Sequence, residues 1–108
     1  MVTATGIRYQ IITPGSGEKP SAGAQVKCHY TGMLLDGTVF DSSVERGVAA
    51  EFRVSDVIPG WQETLVNMQR GEKRLVVIPP ELAYGERGYP GVIPANAFLV
   101  FEMELLDF

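Results

Sequence analysis

The sequence predicts a small α+β domain: five or six strands in a mostly antiparallel sheet, with one short α-helix on its apolar face. Three observations carry this prediction. Apolar and polar residues alternate in several separate stretches, the pattern of half-buried strands. Only one stretch shifts to a period near that of a helix. Turn-forming residues, 12 Gly and 7 Pro among 108, divide the strands, and no strand–helix–strand alternation recurs.

The first strand is expected at residues 6–12, where Ile7, Tyr9 and Ile11 share one parity and Arg8 and Gln10 the other. Pro14-Gly15-Ser16-Gly17 ends it as a turn cluster. Residues 25–34 place Val26, Cys28 and Tyr30 on one face and Lys27, His29 and Thr31 on the other. Asp36-Gly37 follows, a pair favoured in type I′ hairpins, so residues 38–41 should return antiparallel. Residues 50–54 alternate again. Val57, Trp61, Leu65 and Met68 then fall on one face of a helix expected over 58–67. Ser55 and Asp56 are its candidate N-caps, Pro59 fits the first turn, and Gly71 is its expected stop. A strand is predicted at 73–79, ended by Pro79-Pro80. Residues 83–97, rich in Gly and Pro, form a long ordered loop. The closing strand covers 98–106, with Leu99, Phe101, Met103 and Leu105 on one face and Glu102 and Glu104 on the other.

No repeat or linker divides the chain, so one domain is expected over residues 1–108. A chain of this length buries roughly 65% of its unfolded surface, enough for a single core. Nine Lys and Arg against 13 Asp and Glu give a net charge of −4, which disfavours nucleic acid as a partner. The apolar runs are too short to span a bilayer. Residues 1–6 lack the charged and apolar regions of a signal peptide. The single Cys permits no internal disulfide and favours a reducing, cytoplasmic compartment. One His and one Cys do not make the usual zinc site, and no metal or other cofactor is expected. Against one His stand one Trp, four Tyr and five Phe, so any chemistry should rest on apolar walls with a few hydroxyls and carboxylates. By pattern alone Trp61, Tyr30 and Phe101 read as core, Cys28 as a small core hydrophobe, His29 as a polar-face residue, and Asp41 as a turn or cap residue.

Five separated motifs, in order, add a resemblance. They are Val26-Lys27-Cys28-His29-Tyr30-Thr31-Gly32-Met33-Leu34; Asp36-Gly37-Thr38-Val39-Phe40-Asp41-Ser42-Ser43; Val57-Ile58-Pro59-Gly60-Trp61; Ile78-Pro79-Pro80-Glu81-Leu82-Ala83-Tyr84-Gly85; and Gly91-Val92-Ile93-Pro94 with Leu99-Val100-Phe101 and Glu104-Leu105-Leu106. The sequence resembles the FK506-binding protein family of peptidyl-prolyl cis-trans isomerases, most of all bacterial and Mip-type isomerase domains.

The resemblance implies an antiparallel half-barrel wrapped around the short helix, with the site between them. It implies a pocket with Trp61 as floor and Tyr30, Phe40, Phe52 and Phe101 as walls. Asp56, Val57 and Ile58 would lie at the rim, with the Ile58 N–H available to a ligand carbonyl. Asp41 would stand beside the reacting amide with Arg46 as its partner. Tyr84 would offer its hydroxyl, and Tyr89, Val92 and Ile93 would form a flap. Asp41, Tyr84, Phe40, Trp61 and Phe101 are thus the implied catalytic residues. The implied partners are Xaa-Pro peptides, unfolded proteins, and the macrolides FK506 and rapamycin. A low-turnover chaperone or Pro-peptide-binding module is the competing reading. A monomer is expected. A periplasmic or surface location is the alternative to the cytoplasm, should the chain belong to a longer Mip-type protein. Ala50 stands where many eukaryotic members carry Phe, and Tyr89 where His is common.

Overall fold

The computed structural model describes residues 1–108. Its strands are β1 (Arg8–Thr13), β2 (Gln25–Leu34), β3 (Val39–Ser42), β4 (Ala50–Arg53), β5 (Lys73–Ile78) and β6 (Leu99–Asp107). Two helices interrupt them, α1 (Ser43–Arg46) and α2 (Pro59–Leu65), and 3-10 turns occupy Val54–Asp56 and Pro80–Leu82. All pairings are antiparallel, in the order β1-β5-β6-β2-β3, with β4 also on β2.

β2 organises the site. One of its edges pairs with β6 from Lys27↔Asp107 to Leu34↔Leu99. The other edge is divided: β4 takes Gln25 to Cys28, and β3 takes Thr31 to Met33. The neighbour therefore changes around Tyr30, where α1 connects the two.

The core forms where α2 meets the sheet. Leu99, Phe101, Met103 and Leu105 alternate inward along β6, and Val76 and Ile78 do so along β5. Trp61 and Leu65 of α2 and Met68 beyond it complete the contact, so the apolar side chains of both elements leave water together. Each fully buried Leu or Met contributes about 1.5–3 kcal/mol. Gly60 permits the close packing, because a Cβ there would lie 2.5 Å from Cγ2 of Ile78.

The strand expectations hold to within a residue or two, but several local ones are corrected. Ser55 and Asp56 are not N-caps. They lie in the 3-10 turn, and Ile58 occupies the cap position without a side-chain bond. Pro59, which has no N–H to satisfy, opens the helix at N1. Gly71 does not stop α2, which ends at Leu65 with Val66 still right-handed. Gly71, at φ 85°, instead serves the turn into β5 and donates its N–H to the Leu105 carbonyl at 2.8 Å. The Asp36-Gly37 turn is not type I′, since only Gly37 has positive φ. The Gly37 N–H closes on the Leu34 carbonyl at 2.9 Å, the arrangement of a longer hairpin loop with glycine in the left-handed position. Finally, the sequence pattern did not predict α1. Ser42 caps it by accepting from the Glu45 N–H, and Gly47 at φ 74° ends it.

Candidate active site

An aromatic cavity of about 270 Å3 opens near the start of α2. Nine residues line it: Tyr30, Phe40, Asp41, Asp56, Val57, Ile58, Trp61, Tyr84 and Phe101. They come from β2, β3, the turn before α2, α2 itself, the loop after β5, and β6.

The Trp61 ring is fixed on three sides. Tyr30 and Phe101 meet it edge-on at 4.9 and 5.1 Å between centroids, and Phe52 lies tilted at 5.4 Å. Phe40 in turn meets Phe101 edge-on at 5.7 Å. Such edge-to-face pairs add to the burial of the rings, because positive ring edges meet negative faces. The indole N–H of Trp61 is buried without an acceptor in the chain, although a buried indole N–H ordinarily finds one. Gly32 makes room for the rings. A Cβ there would sit 2.7 Å from both Phe101 and Phe40.

A compact polar group occupies one edge. The Tyr30 hydroxyl donates to Asp41 Oδ2 at 2.6 Å. Arg46 Nη1 pairs with Asp41 Oδ1, and Arg46 Nη2 donates to the Tyr30 hydroxyl at 3.1 Å. Burial pushes the Asp41 carboxyl upward, but the Tyr30 hydroxyl and the Arg46 guanidinium outweigh it and hold the carboxyl below its usual value. Asp41 is therefore ionised at neutral pH. Burial, and then donation to Asp41, pushes the Tyr30 hydroxyl upward, so it stays protonated. Behind the group, the buried Ser43 hydroxyl accepts the Tyr30 N–H at 2.7 Å and lies 2.9 Å from His29 Nδ1.

The rim is held by Gln62, whose Nε2 donates to the Val57 carbonyl at 2.7 Å. The Ile58 N–H has no acceptor in the chain. Tyr84 is partly exposed, and burial, followed by the nearby Tyr89 and Asp41, raises its hydroxyl above the ordinary value. The loop beyond it is pinned by reciprocal backbone bonds of 2.8 Å between Tyr89 and Ile93.

Five residues implied as ligand-binding do not line the cavity. Phe52 backs Trp61 rather than forming a wall. Arg46 acts on Asp41 and Tyr30 from outside. Tyr89 packs edge-on against Tyr84 at 5.8 Å. Val92 points to solvent, and Ile93 is turned inward into the core. Sequence reasoning missed Gly32, Ser43 and Gln62. Gly32 and Ser43 stood inside recognised motifs, but nothing in the spacing indicated their partners. Cys28 is buried away from the site, and burial pushes its thiol up to about 12. No three His, Cys, Asp or Glu side chains converge as a metal-binding group.

A family model described as FKBP-type peptidyl-prolyl cis-trans isomerase matches residues 16–106. The chain is 53% identical over 105 residues to the FKBP-type 22 kDa peptidyl-prolyl cis-trans isomerase of Escherichia coli K12, covering 97% of this chain and 51% of that protein. It is 45% identical over 107 residues to the outer membrane protein MIP of Legionella longbeachae, covering 99% and 46%. The crystal structure of FkpA from Escherichia coli superposes with a TM-score of 0.95 at 48% identity, over 99% of this chain and 50% of that one. The chain thus spans about half the length of these relatives.

Proposed function

The chain belongs to the FKBP-type peptidyl-prolyl cis-trans isomerase family, and from that premise we propose that its aromatic cavity accelerates rotation about Xaa-Pro peptide bonds. The observation that carries this reading is an aromatic cavity with the Asp41 carboxylate held ionised at its edge. Substrates are Xaa-Pro segments of peptides and unfolded proteins, and the activity assists folding.

Amide resonance sets a rotation barrier of about 18–20 kcal/mol, and uncatalysed Xaa-Pro exchange takes roughly tens to hundreds of seconds. No covalent bond has to break. The catalyst needs to favour the twisted amide over both planar forms. The planar amide is the more polar and loses more on leaving water for the rings of Trp61, Phe40 and Phe101. As the amide twists, the carbonyl carbon loses electron donation from nitrogen. The fixed negative charge of Asp41 favours that polarity without needing to reorganise. Tyr84 and the free Ile58 N–H hold the flanking carbonyls, with Asp56 and Val57 shaping the rim. Arg46 holds Asp41 and Tyr30, Phe52 backs Trp61, and Tyr89 packs against Tyr84 in the flap that also carries Val92 and Ile93.

FK506 and rapamycin are expected to occupy the same cavity and inhibit. The test is a protease-coupled assay on a short Xaa-Pro peptide. Asp41→Ala and Trp61→Ala should each lower kcat/KM about tenfold or more, equivalent to about 1.4 kcal/mol of transition-state stabilisation. Full activity in both variants would overturn the assignment. Tight macrolide binding without turnover would instead favour a peptide-holding module. The comparisons lend no support to a cytoplasmic location. A relative named as an outer membrane protein supports the surface or periplasmic alternative.

A further inference from the structure

We propose that a second cavity, beyond the C-terminal end of α2, binds a small carboxylate bearing a neighbouring N–H, such as a peptide carboxy-terminus or an N-acylated amino acid. The cavity measures about 370 Å3 and shares no lining residue with the aromatic one. Tyr9 of β1, Lys19, Asn67, Gln69, Glu72 and Arg74 of β5 supply its chemistry.

Its base is a buried ion pair. Arg74 Nε donates to Glu72 Oε2 at 2.7 Å, and Nη2 lies 2.6 Å from the same oxygen. Nη2 also donates to the Asn67 carbonyl at 3.3 Å. The Arg74 side chain is only 7% exposed, yet its Nη1 donates to no group of the chain. The guanidinium lies over the Tyr9 ring at 4.5 Å, which fixes its plane. Lys19 adds a second cation and forms no ion pair. Two positive groups thus face one carboxylate in a protein whose overall charge is −4.

A cation held in a partly dry cavity attracts an oxyanion more strongly than one in bulk water. With Nε and Nη2 committed to Glu72 and Asn67, Arg74 Nη1 is the guanidinium donor left for one carboxylate oxygen, and the Lys19 ammonium can meet the other. The flanking amides supply the complementary half. Asn67 Nδ2 donates to the Glu63 carbonyl at 2.9 Å, and Gln69 Nε2 to the Gly17 carbonyl at 2.8 Å. The side-chain carbonyl of each then has no donor in the chain and is free to accept an N–H from a ligand. The Tyr9 ring offers an apolar wall for the carbon between the two groups. The volume falls within the range of small-molecule sites, roughly 300–1,000 Å3, and exceeds what a bare anion would fill.

The experiment is an amide NMR titration of the chain with N-acetylglycine. Saturable shifts in the millimolar range are expected at Lys19 and across residues 67–74. N-acetylglycinamide, which lacks the carboxylate, should produce none. Lys19→Glu, at an exposed position without hydrogen bonds, should weaken binding about fivefold or more, the equivalent of about 1 kcal/mol, and leave isomerase activity unchanged. Absence of saturation, equal binding by the amide, or undiminished affinity in Lys19→Glu would overturn the proposal. Inorganic phosphate binding as tightly as N-acetylglycine would overturn the assignment to a carboxylate with an N–H.

Discussion

Asp41 receives its two partners from different elements, Tyr30 from β2 and Arg46 from α1, and their combined effect sets its charge state. The sign of the pH dependence follows. A carboxyl whose folded value lies below the ordinary one, about 3.9, contributes stability that is fully present above the ordinary value. That contribution is lost only as pH falls through the depressed one. Activity that depends on ionised Asp41 should therefore stay level through the usual carboxylate range and decline below it. Arg46→Ala removes one of the two stabilising partners and should shift this acid limb upward. A pH profile of isomerisation, measured by NMR exchange to avoid a protease, checks this. An unmoved limb would show that Arg46 does not hold the charge. At this scale the sequence was partly legible. The motif carrying Asp41 was recognisable, and by pattern alone the residue read as a turn or cap. In the structure Ser42 is the cap, which leaves the Asp41 carboxylate free to meet Tyr30 and Arg46.

Strand boundaries followed from periodicity to within two residues, because alternating burial along β2, β5 and β6 is a local property of the backbone. Caps and turns were less legible. Ser55 and Asp56 looked like caps because of their residue types, but a proline at N1 already removes one of the unpaired donors that a cap would satisfy. Gln62 assumed the holding role by reaching back to the Val57 carbonyl, a bond that spacing does not announce. Gly32 is tightly enclosed in β2, where β2–β3 and β2–β6 register place it against Asp41 and Phe101. Gly32→Ala would drive a methyl group into two rings at 2.7 Å. Overpacking of this kind costs about 1–3 kcal/mol, so thermal denaturation should show a lower midpoint. Isomerase activity should fall as Phe40 and Phe101 shift. Unchanged stability and activity would mean that the rings yield freely.

Across the whole molecule, the polar interior holds one ion pair, Glu72–Arg74, with side chains only 4% and 7% exposed. Removing one member of such a pair leaves the other buried and unpaired. Glu72→Gln should therefore destabilise the fold by about 3–5 kcal/mol, whereas replacing both residues with apolar ones of similar volume should cost far less. Urea denaturation of the single and double variants measures both. A single variant as stable as the parent would show that the guanidinium is adequately solvated through its cavity.

The sequence by itself determined the α+β class, the order of the strands along the chain, the inward faces of β2 and β6 and the family, whereas Ile11, read on the same face as Ile7 and Tyr9 of the first strand, is exposed. Alternation, period and motif wording are all carried by neighbouring residues. Only the tertiary structure decided which aromatics line a cavity and which pack behind it. Phe101 and Phe52 both contact Trp61, yet Phe101 lines the cavity and Phe52 does not. Tertiary structure also decided that Asp41 is held ionised, and that Arg74 is paired with Glu72 in the interior while its Nη1 keeps no partner in the chain. Periodicity states that a residue faces inward. Which group it meets there depends on register between strands distant in sequence, and the field at a carboxylate depends on the charges that this register brings within a few ångströms.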